Sequence, residues 1–144
     1  LTQKGWVSEK TYHGSCDCEK VRFEVKLDLA AGTGKCNCTT CTKKRWWGAN
    51  VKPEAFRFHS GESELTNNAF DFGPKGYVHH LFCRHCGVQP LIRGHIAEVG
   101  GPYVSINLGA LDDLNPEEWA NAPVRYMDGR HDDWFHQPAH IRHL

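Results

Sequence analysis

Apolar and polar residues alternate in short runs along this chain, and the runs are the length of strands. From Lys20 to Leu27 charged and apolar side chains exchange at every position, the period of a half-buried strand. Phe56-Arg57-Phe58-His59 repeats the pattern and runs into Ser60-Gly61, a turn signal. Further strands are predicted over Tyr77–Phe82, Val88–Ile92, Tyr103–Leu108 and Val124–Met127. Pro90 suits an edge or a bulge better than a central strand. Helical signals are few. Asn115-Pro116-Glu117-Glu118-Trp119 offers an N-cap residue, proline at the first helical position and acids in the first turn, enough for one or two turns before Pro123. Gly32-Thr33-Gly34 and Phe72–Gly76 read as loops. The pattern predicts a mainly antiparallel β protein.

Composition narrows the class. A chain of 144 residues fits a single domain spanning positions 1–144, long enough to bury a core. No apolar run approaches the ~20 residues that cross a bilayer, and no apolar stretch like that of a signal peptide is evident, so no membrane association is expected. Lys plus Arg and Asp plus Glu number 17 each, a balance that argues against a strongly basic nucleic-acid binder. Phosphate-cradling loops, Gly-x-Ser-x-Gly and His-Glu-x-x-His are absent. Nothing in the sequence specifies an oligomeric state.

The seven cysteines carry the chemistry. They form Cys16-x-Cys18, Cys36-x-Cys38-x-x-Cys41 and Cys83-x-x-Cys86-Gly87. An odd number at short spacing is a poor disulfide framework, which points to a reducing cytoplasm. Cys83-Arg84-His85-Cys86-Gly87 has the form of a zinc knuckle, and Cys16 and Cys18 can supply the other pair of ligands for a closed four-thiolate site. Such a site contributes folding free energy on the order of 10 kcal/mol.

Cys36, Cys38 and Cys41 are then three thiolates, the ligand number of a zinc site with one open position that takes a substrate thiol. Lys43, Lys44 and Arg45 follow at once and would offset the negative charge of that site, and Trp46 and Trp47 would wall a pocket. The same residues admit a plainer reading. His79, His80 or His95 can complete the cluster as a closed site, the basic run can be a solvated loop, and the tryptophans can be core. His79 and His80 fall on opposite faces of one strand. These three histidines are also unranked options for a general acid. A thioredoxin-like role for Cys83-x-x-Cys86 is disfavoured, because no βαβ pattern surrounds it.

Gly14-Ser15-Cys16-x-Cys18-x-x-Val21-Arg22-Phe23, Cys36-x-Cys38-x-x-Cys41 and Phe82-Cys83-x-x-Cys86-Gly87 closely resemble the glutathione-dependent formaldehyde-activating family, shared with centromere-protein-V-like proteins. Ser60-Gly61-Glu62 and Asn107–Asp113 resemble its later blocks, so the likeness runs from about Tyr12 to Trp134. The resemblance implies an Mss4-like fold, a tent of small coiled β-sheets with zinc-binding turns. It implies two zinc ions, a structural one on Cys16, Cys18, Cys83 and Cys86 and a second on Cys36, Cys38 and Cys41. It also implies carbon–sulfur lyase chemistry, written in the forward sense as S-hydroxymethylglutathione from glutathione and formaldehyde. Trp46 and Trp47 stand near where the family usually has a small residue, which would narrow the pocket.

The expectation is therefore a zinc enzyme acting on a small thiol such as glutathione, or on its adduct. Cys36, Cys38 and Cys41 would carry catalysis, and Lys43, Lys44, Arg45 and Trp46 would contact substrate. The alternative is a non-catalytic, zinc-stabilised module that binds a protein partner.

Overall fold

The computed structural model describes residues 9–144. The first eight positions of the expected domain, where a leader segment would be sought, lie outside the described residues. Ten strands and two short helices are described. The strands are β1 (Lys10–Ser15), β2 (Arg22–Leu27), β3 (Thr33–Cys36), β4 (Gly48–Val51), β5 (Phe56–Ser60), β6 (Leu65–Asp71), β7 (Gly76–Cys83), β8 (Leu91–Ile96), β9 (Gly101–Asn107) and β10 (Val124–Met127). The helices are α1 (Thr39–Lys44) and α2 (Pro116–Asn121). No described helix is long and apolar enough to cross a membrane.

The protein is mainly β, as expected. A three-stranded antiparallel sheet has the order β1-β2-β5, and a seven-stranded sheet the order β10-β3-β4-β9-β8-β7-β6. All pairings are antiparallel except β10 with β3, where Met127 stands opposite Cys36. Alternation on β2 puts Phe23, Val25 and Leu27 inside. They join Tyr12, Leu91, Val104, Ile106 and Leu108 in the main core. A satellite cluster forms around Cys16, Val21 and Cys83, with Phe58, Leu65 and Val88 packed against it. Residues that would hold a metal are thus also core residues.

Two strands start later than the alternation suggested, for the same reason. Lys20 and Val21 precede β2, because the Val21 carbonyl accepts from the Cys16 N–H in the turn that presents the cysteine. Val88 to Pro90 likewise precede β8, since the Val88 carbonyl accepts from the Cys83 N–H. Backbone claimed by a cysteine turn is not available to a ladder. Conversely, Thr33 and Gly34 lie in β3 rather than in a loop, held by the Thr33 N–H to the Pro123 carbonyl and by β10. The α2 helix forms where expected, with Asn115 and Glu118 completing a capping box.

Candidate metal centres

The turn between β1 and β2 carries Cys16 and Cys18, Cys83 ends β7, and Cys86 lies in the turn that follows. Their four sulfurs lie within 4.8 Å of one another. Cys16 to Cys18 measures 3.6 Å and Cys18 to Cys83 3.7 Å. A tetrahedron with metal–sulfur bonds of ~2.3 Å has edges of about 3.8 Å. The spacing therefore fits a four-thiolate zinc, and all seven cysteines are free thiols rather than disulfides. Backbone N–H groups address the sulfurs, from Val21 to Cys16 Sγ and from His85 to Cys83 Sγ, each at 3.4 Å. Gly87 closes the second turn at φ 81°, a left-handed position suited to glycine, with its N–H on the Cys83 carbonyl.

The second cluster is built from the end of β3 and the start of α1. Cys36 is the last residue of its strand, Cys38 caps the helix, and Cys41 lies in its first turn. The Cys38 sulfur accepts from the Cys41 N–H at 3.3 Å, doing for α1 what a serine or aspartate oxygen does elsewhere. The three sulfurs lie within 4.8 Å of one another. Among the described residues, no further His, Cys, Asp or Glu ligand atom joins them within that distance. Three soft donors fit zinc with one position left over.

Parallel pairing with β10 brings a second wall to this cluster. Buried Asn37 donates through Nδ2 to Asp128 Oδ1 at 2.8 Å and accepts at Oδ1 from the Arg130 N–H at 2.9 Å. These bonds press the 128–130 turn against Cys36. A Cβ on Gly129 would fall 2.5 Å from the Cys36 sulfur. A cavity of about 50 Å³ adjoins the cluster, lined by Lys35, Cys36, Cys41, Thr42, Arg45, Trp46 and Leu144. The buried Thr42 hydroxyl has no hydrogen-bond partner there.

Hydrogen bonds from the Cys36 and Cys41 thiols hold the Cys38 thiol well below its ordinary value, helped by the Cys41 and Thr40 N–H groups. Its hydrogen bond to Cys36, then that to Cys38, raises Cys41 far above the ordinary thiol value. Burial lowers Lys44, while the Cys41 charge opposes that shift. The Lys44 ammonium lies 2.9 Å from Gln89 Oε1 and 3.2 Å from His80 Nδ1. Burial, and then Lys44, lower His80 to about 4, so its ring is neutral near pH 7.

The residues expected around the cluster divide accordingly. Lys43, Lys44 and Arg45 are all exposed; Lys44 reaches back to His80 and Gln89, and Arg45 and Trp46 line the cavity. The Arg45 guanidinium donates to the His143 carbonyl, drawing the segment that carries Leu144 over the same cavity. Trp47 is half-buried against the core, packed on Trp119 at 5.3 Å with its indole N–H on Thr33. His80 reaches Lys44, whereas His79 and His95 pack on Tyr77. None of the three is part of the sulfur cluster. Sequence reasoning missed Asn37, Gly129, Gln89 and Tyr103. Burial raises the Tyr103 phenol, and the Cys41 charge adds to that rise. Asn37 lies inside the cysteine motif but takes its role from Asp128 and Arg130, and Gln89 meets Lys44 and His80 only in the fold. Gly129 and Tyr103 come from distant parts of the chain, so no local motif announces these roles.

Comparison with known proteins agrees with this geometry. A Rhodobacter sphaeroides protein of known crystal structure, a structural-genomics target, superposes with a TM-score of 0.62 at 25% identity. The match covers 78% of this chain and 99% of that one. Residues 11–128, which contain all three cysteine clusters, match the family described as glutathione-dependent formaldehyde-activating enzyme. The chain belongs to that family.

Proposed function

We propose that the protein is a zinc-dependent enzyme of the carbon–sulfur lyase type. It joins a small thiol such as glutathione to formaldehyde, giving S-hydroxymethylglutathione, or runs the reverse. The observation that carries this reading is the convergence of Cys36, Cys38 and Cys41 with no fourth protein ligand among the described residues, beside a small cavity. Zinc bound there would promote ionisation of the thiol and act as a template and Lewis acid for its addition to the carbonyl. The four-cysteine cluster, closed by its own ligands, is read as structural.

The remaining roles belong to the chain itself. Three thiolates and a dication leave a net negative charge, and a bound substrate sulfur would add another. Lys44, held near Cys41 by His80 and Gln89, offsets that charge. His80 is the positioning group in this arrangement. Its Nδ1 faces Lys44 and Gln89, so its proton sits on Nε2. Thr42 lines the cavity, and its buried hydroxyl has no hydrogen-bond partner. A space of about 50 Å³ admits the sulfur end of a thiol and not a whole tripeptide. The bulk of the substrate then lies outside, where Lys35 and Arg45 face its carboxylates.

The test is the rate of thiol–formaldehyde interconversion, followed by NMR with carbon-13 formaldehyde. Zinc-loaded protein is expected to exceed the uncatalysed rate, and Cys38→Ser to fall back to it while staying folded. A wild-type rate equal to background would sink the proposal.

A further inference from the structure

The outer face of the three-stranded sheet gathers three metal-ligating side chains that the cysteine chemistry does not use. His13 on β1 and Glu24 on β2 stand directly opposite each other in the ladder, and both point away from the core. His59 arrives from β5 through a β-bulge. Ser60 pairs with Arg22 and Phe58 with Phe23, so His59 is the extra residue between them. Bulges re-aim side chains, and this one brings His59 Nε2 to 2.8 Å from Glu24 Oε1. The two imidazoles lie nearly parallel, 6.2 Å apart at 17°. Ligand atoms of all three residues fall within 4.8 Å of one another.

His13 is also oriented from behind. Its Nδ1 lies 3.0 Å from Asp113 Oδ2, and its own backbone N–H donates to both Asp113 oxygens. A carboxylate on one ring nitrogen fixes the tautomer and leaves Nε2 as the ligand atom, the usual support of a metal-bound histidine. The exposed pairs His131–Asp128 and His136–Asp133 provide an internal contrast. Each has one histidine and one carboxylate only three residues apart, and neither forms part of a three-donor group.

We infer that His13, Glu24 and His59 form a third metal site, for a divalent first-row transition ion such as zinc, with Asp113 positioning His13. Two imidazoles and one carboxylate favour such ions over calcium or magnesium. The site has open positions on its solvent side, because all three side chains reach the surface. Tetrahedral zinc with bonds of ~2.05 Å sets its donors about 3.3 Å apart, so the His59–Glu24 contact opens by about half an ångström on binding. Arg57 opposes the ion, since its guanidinium donates to the same Glu24 oxygen at 2.7 Å. Its exposed side chain is free to swing away.

Zinc titrated into the full chain, with histidine-ring proton–nitrogen NMR as the readout, tests this. The thiolate clusters fill first. His13 and His59 are then expected to shift together and saturate at one further equivalent. His59→Ala abolishes the response of His13, and Asp113→Asn weakens binding by about 10- to 100-fold. Arg57→Ala, lacking the competing cation, binds more tightly than wild type. The inference is overturned if His13 and His59 respond no more strongly than His131 and His136, or if His13 still saturates with His59 removed. Neither result depends on the activity proposed above.

Discussion

Gly129 leaves room for one atom and no more. A methyl group there would sit 2.5 Å from the Cys36 sulfur and 2.8 Å from the Trp134 ring, so alanine must push one of them aside. Over-packing of this kind costs about 1–3 kcal/mol. Here the displaced atom is a candidate ligand, so the loss is concentrated at the second cluster. Gly129→Ala is expected to bind one zinc firmly and the second at least about tenfold more weakly, read by metal analysis after graded chelation. Equal retention of both would show that the 128–130 turn does not shape the site. The seven cysteines were legible as ligands because each cluster is local, within six residues. Gly129, Asn37 and Tyr103 were not. Their part depends on β10 lying parallel to β3 and on Tyr103 approaching Cys41, which residue spacing does not encode.

At the scale of elements, the alternation of β2 and β5 and the apolar-rich runs of β7 and β9 were readable, although β9 buries residues on both faces. The strand β6 was not, since Leu65–Asp71 is largely exposed and polar along its edge. Helix α1 escaped notice because its cap is a cysteine sulfur and its sequence is Thr-Thr-Cys-Thr-Lys-Lys. The two cysteine-bearing pieces of structure are expected to fail differently. Cys83 is fully buried in the satellite core and joins turns from both sheets, whereas Cys38 caps a six-residue helix. Loss of a structural zinc removes up to about 10 kcal/mol, comparable with the whole stability of a domain. Cys83→Ser should therefore abolish the cooperative melt. Cys38→Ser should keep it with little loss, because a serine oxygen can take over the cap of α1. Equal collapse in thermal denaturation would remove the distinction between the two clusters.

For the whole molecule, the two sheets share one core, and the four-cysteine cluster ties them at a second place. Cys18 and Cys83 are 65 positions apart yet 3.7 Å from sulfur to sulfur. Sequence pattern supported the pairing of these clusters, and the geometry agrees with it. The three-cysteine cluster hangs instead on β3 and β10, at the opposite edge of the large sheet from β6. A scaffold closed at one cluster can leave the other incomplete, and the proposed chemistry needs that incompleteness. Zinc X-ray absorption on protein loaded with two equivalents of zinc, which fill the thiolate clusters first, with and without glutathione, measures it directly. Four sulfurs on one ion and three on the other predict an average of about 3.5 sulfurs per zinc, plus a light scatterer, rising to about 4 when the thiol is added. An average that does not move on adding glutathione would contradict the open site and favour a zinc-stabilised module without catalysis.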